Sequence, residues 1–64
     1  MSGDVQAAAR QYRAEGLTTR AEVLDRCVEV AREDKYVRNQ MEWRYGSVGA
    51  YADAVYEAMK ETPA

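Results

Sequence analysis

Residues 19–45, TRAEVLDRCVEVAREDKYVRNQMEWRY, decide how the chain folds. A capping box opens the stretch: the Thr19 hydroxyl can accept from the backbone N–H of Glu22, and the Glu22 carboxylate can reach back to the N–H of Thr19. Neither proline nor glycine follows until Gly46, the residue type that best takes the left-handed conformation just past a helix end. At about 100° per residue, Val23, Cys27, Val30, Val37, Met41 and Tyr45 fall on one stripe, widened by Leu24, Val28 and Ala31. The stretch therefore reads as one long helix with a core-facing side.

Two features qualify that reading. Asp34 lies within the apolar stripe with Arg38 four residues on, so either the pair sits at the rim of the core or the helix bends between Glu33 and Lys35. Asp ahead of Arg at this spacing supports a continuous helix, and the rim reading is preferred. Opposite the stripe, Arg32, Tyr36, Asn39 and Trp43 recur at intervals of four, three and four. The only tryptophan of the chain thus points away from the expected core.

Working outward, Val5, Ala8, Ala9 and Tyr12 form a narrow, alanine-rich stripe on a first helix over about 4–15, with Ser2 or Asp4 as its cap and residues 1–3 loose. Gly16 ends this helix and Leu17 staples the turn, and the short connection makes the first two helices neighbours. After Gly46, Ser47 can cap a third helix over about 48–61, ahead of Pro63. Its stripe of Val48, Tyr51, Ala52, Val55, Ala58 and Met59 is the cleanest in the chain, with Asp53, Glu57 and Lys60 opposite. Folding back at Gly46 and Ser47 sets Tyr51 and Val55 near Met41 and Val37. The expected fold is all-α, a single three-helix domain with a long central helix (4–15, 19–45, 48–61).

The 64 residues carry a net charge of -2 and 47% hydrophobic residues, which fits one domain and is too charged for a membrane protein. Leu17 and Leu24 are the only leucines, isoleucine and phenylalanine are absent, and alanine dominates the apolar fraction. A chain this short buries only about 60% of its unfolded surface. Self-association, with a two-fold dimer through the long helix as the commonest form, or a partner protein is the natural remedy. Seven arginines against two lysines, and a mild drift from basic early to acidic late, read as the mixed charge of exposed helices. The lone Cys27 excludes an internal disulfide and, on the buried stripe, behaves as a small hydrophobe. With no charged-then-apolar leader and no apolar run long enough for a span, the expected compartment is cytoplasmic.

The absence of histidine removes the usual base for a serine or cysteine nucleophile and the usual zinc ligand. No catalytic triad, four-ligand zinc site or phosphate-binding glycine loop can be assembled, so no catalytic residue, cofactor, metal or small-molecule substrate is expected. Glu29 and Glu33 stack at a four-residue interval and read as solvated. The leading expectation is a non-enzymatic protein-interaction or regulatory module, a small adaptor or inhibitor that self-associates, with Arg32, Tyr36, Asn39 and Trp43 as its partner-binding face. Trp, Tyr and Arg are the types that most often anchor interfaces. The competing structural reading lets Trp43 cover a neighbouring helix of the bundle. The alternative function is a helix-turn-helix DNA-binding regulator using Arg10, Arg13 and Arg20 around the first turn. Net negative charge and the acids Glu22, Asp25 and Glu29 on the would-be recognition helix weigh against it.

Overall fold

A computed structural model describes residues 3–61, with side chains from residue 5 onward. The described residues form four helices and no strand: α1 Gly3–Ala14, α2 Arg20–Glu33, α3 Lys35–Tyr45 and α4 Val48–Glu61. The expected all-α class holds, but the long central helix does not. It breaks at Asp34, which sits at φ -133 and ψ 100, outside helical space. The proposed Ser2 cap and the Pro63 stop lie outside the described residues, whereas Gly3 and Asp4 already belong to α1, so Asp4 is not its cap and residue 3 is not loose.

Asp34 serves both helices at once. Its backbone N–H still donates to the Val30 carbonyl at 2.9 Å, closing α2, while its carboxylate accepts from the Val37 N–H at 3.2 Å, opening α3. The carboxylate is thus a cap rather than the rim partner of Arg38, whose guanidinium lies 4.0 Å from Glu42. The reason for the break is one of length. A straight helix over 19–45 would run about 40 Å, whereas the molecule measures 30 × 23 × 15 Å. α4, with 14 residues, is about 21 Å long and could cover only half of it. Bending at Asp34 lets both halves pack on α4, which touches α1, α2 and α3 and is the hub of the fold. α1 accordingly packs along α4 rather than mainly along α2.

The other boundaries follow local chemistry. At the end of α1, Gly16 adopts φ 90, with its N–H bonded to the Arg13 carbonyl and the Leu17 N–H to the Tyr12 carbonyl, both at 3.0 Å. This is the paired Schellman arrangement that glycine permits. The Thr19 and Glu22 capping box is formed, and the Glu22 carboxylate also accepts from the Thr18 N–H at 2.9 Å. Gly46, at φ 96, closes α3 with its N–H on the Glu42 carbonyl, and the Ser47 hydroxyl caps α4 by accepting from Ala50 N–H at 3.0 Å.

The core is small. Ala9, Tyr12, Val23, Cys27, Ala31, Met41, Ala52, Val55 and Ala58 are buried, with no buried polar or charged residue besides them among the described residues. Val23, Val55 and Cys27 are its largest fully buried side chains. Val5, Leu17, Leu24, Val30, Val37, Val48, Tyr51 and Met59 close around it half-buried. Val28, expected on the widened stripe, instead stands 38% exposed at the bend.

Candidate functional site: the outward face of α3 and the elbow beside it

α3 holds the molecule by one side only. Met41 is buried, and Val37, Gln40 and Tyr45 are half-buried beside it. At 100° per residue, Tyr36, Asn39 and Trp43 then lie about 140–160° around the axis from Met41, on the outer side. Trp43 is 79% exposed and Tyr36 72%, and Asn39 is exposed between them. Trp43 therefore covers no neighbouring helix, and the structural reading that buried it fails. The aromatic rows elsewhere are drawn inward: Tyr12 is buried, and Tyr45 meets Tyr51 edge to face with ring centroids 5.1 Å apart.

The fourth member of the expected row, Arg32, lies across the break on α2. It lines a separate hollow of about 520 Å³ at the elbow, together with Val28, Ala31, Lys35, Arg38 and Val48. The four-residue row is thus divided, with three residues on the α3 face and Arg32 at the edge of the elbow groove. Sequence reasoning missed this groove. Its signal was the three-residue spacing of Arg32, Lys35 and Arg38, which becomes a cluster only once the helix bends. A second hollow of about 200 Å³ lies between α3 and α4, against Val37, Met41, Tyr45 and Tyr51.

The three arginines of the nucleic-acid alternative are not gathered into one free patch. Arg20 is ion-paired with Asp53 of α4, and that hydrogen bond, with the carboxylate's charge, raises its already high pKa. Arg13 donates to the Met59 carbonyl at 3.4 Å and is half-buried, and Arg10 is exposed on α1. Arg26 is likewise committed, to Glu15 and, at 3.2 Å, to Glu29. Glu29 thus faces a guanidinium.

Other titrating chemistry is structural. Hydrogen bonds from the Thr18 and Thr19 backbone hold the Glu22 carboxyl below its ordinary pKa. Burial pushes the Cys27 thiol up, opposed by the Tyr12 hydroxyl that meets it, and burial likewise raises Tyr12. A buried thiol held protonated is a poor nucleophile. Among the described residues no three His, Cys, Asp or Glu side chains are grouped to hold a metal, and no helix is long and apolar enough to cross a membrane. No family model matches the chain, and neither the curated proteins nor the solved structures compared with it give a match.

Proposed function

We propose that this protein is a non-catalytic interaction or regulatory module that works by docking the outward face of α3 on a protein, with a second copy of itself as the first partner. The observation that carries the reading is the exposure of Trp43 and Tyr36 on one side of a helix whose other side is already packed. Large aromatics left in water cost burial energy that an interface recovers, and they bring wide contact area with few rotatable bonds. Asn39 between them supplies hydrogen-bonding capacity at a surface that must also be stable when free.

Area sets the strength. At their exposures the two rings offer roughly 250–400 Å² per copy, against about 800 Å² per partner in a standard stable interface. A two-fold pairing of α3 helices, which opposes Trp43 of one copy to Tyr36 of the other, is therefore a weak and reversible dimer. Such an adaptor or inhibitor exchanges its own copy for a foreign partner without unfolding. DNA binding through Arg10, Arg13 and Arg20 draws less support, since two of those guanidiniums already have partners within the chain.

Light scattering across a concentration series tests the reading. The expected mass rises above that of the 7.2 kDa monomer at high concentration, and Trp43→Ala abolishes the rise while leaving the unfolding free energy within the ordinary scatter of surface substitutions, about 0.5 kcal/mol. Monomer at every concentration, or a large melting loss in the variant, contradicts it.

A further inference from the structure

The elbow groove is a different surface from the α3 face, sharing only Arg32 with the residues singled out above, and its chemistry is distinct. Its floor is aliphatic: Val28, Ala31 and Val48, with Val28 open to solvent. Its rim is cationic: Arg32, Lys35 and Arg38. On a straight helix Arg32 and Arg38 would diverge by about 120° around the axis. The break at Asp34 brings both to one hollow. Among the described residues neither Arg32 nor Lys35 has a hydrogen-bond or ion-pair partner, and Arg38 reaches Glu42 only at the 4.0 Å outer limit of an ion pair.

We propose that this groove docks an acidic peptide segment carrying an aliphatic anchor side chain, the anchor on Val28, Ala31 and Val48 and the carboxylates on Arg32, Lys35 and Arg38. Charge complementarity argues for the acidic character: three cations are concentrated here in a chain whose net charge is -2, so an anion is drawn to this spot and repelled by much of the rest. The aliphatic floor argues for a peptide. A nucleic-acid backbone could answer the rim but offers nothing to cover Val28. The volume lies within the 300–1,000 Å³ or so of ordinary ligand sites and admits the side chains of one short segment, laid as an amphipathic helix along a groove. The charged contacts are solvent-exposed, so they select the partner and speed its approach more than they hold it.

The probe is a short fluorescein-labelled helical peptide of glutamate with leucine at positions i, i+3, i+4 and i+7, titrated with the full chain and read by anisotropy and by methyl chemical shifts. Saturable binding is expected, with shifts at Val28, Ala31 and Val48, loss of affinity with added salt, and no binding of the lysine and leucine counterpart. An Arg32→Gln, Lys35→Gln double variant weakens binding by at least about threefold, and its circular dichroism confirms that these exposed changes leave the fold intact. The proposal is overturned if the glutamate and leucine peptide fails to saturate, if an all-glutamate peptide binds equally well, if shifts fall on Val37 and Met41 instead, or if duplex DNA occupies these methyls more tightly than the peptide. The wild-type shift map decides the location without any variant, and self-association through α3 is read separately by mass, so either reading can fail alone.

Discussion

Tyr12 and Cys27 occupy one buried corner where α1 meets α2, and burial makes both harder to ionise. The unfolded chain gives up its thiol proton near the ordinary value of about 8.5, while the folded chain keeps it to higher pH. Stability is therefore full below that value and declines as pH rises from it through the raised folded pKa, because the unfolded state binds fewer protons across that window. Melting followed from neutral to alkaline pH should show the decline beginning near 8.5, and Cys27→Ala should flatten its first part. A melting temperature unchanged to pH 10 or so would contradict the buried, protonated thiol. On the acid side the sign reverses: the depressed Glu22 carboxyl contributes stability above its ordinary pKa, lost as pH falls through the lower folded one. Trp43 is the opposite kind of residue, almost uninvolved in holding the fold and available for contact.

At the scale of elements, the boundaries divide into those set by neighbours in sequence and the one set by distance. Asp34→Ala removes the α3 cap and should cost about 1 kcal/mol in thermal or urea unfolding, with the helical signal in circular dichroism unchanged or lower. A variant that melts higher with a stronger helical signal would show that Asp34 alone bends an otherwise straight helix, against the length argument. The capping box at Thr19 and Glu22, the glycine stops at Gly16 and Gly46, and the Ser47 cap were legible in the sequence because each is an exchange of hydrogen bonds within a few residues. The break between Glu33 and Lys35 was legible only as the second of two readings, because Asp34 and Arg38 satisfy the rules of a continuous helix and only the shortness of α4 forbids it. The same blindness put Arg32 in a row with Tyr36, Asn39 and Trp43, and left the groove of Arg32, Lys35 and Arg38 unseen. The outward direction of Trp43, by contrast, was readable, since the α3 stripe alone determines it.

Taken whole, the molecule is three helices laid on a fourth, held by a core whose largest fully buried side chains are two valines and a cysteine. Such a core leaves little margin, and α4 concentrates what there is. Val55, completely buried on α4, should on truncation to alanine cost about 2 kcal/mol for the lost methyl groups and the cavity behind them, lowering the melting temperature by roughly 8–16 °C. A loss below about 0.5 kcal/mol, the scatter of surface sites, would mean that α4 is not the hub. Trp43 and Tyr36 are the most exposed large hydrophobic residues among those described, and both stand on the outer side of α3, which is why association through α3 is the central functional claim.

The lone tryptophan makes that claim directly measurable. Trp43 fluorescence should shift to shorter wavelength as the protein is concentrated, in step with the rise in mass, because pairing removes the indole from water. Emission fixed at the solvent-exposed wavelength across the whole concentration range would contradict self-association through the α3 face.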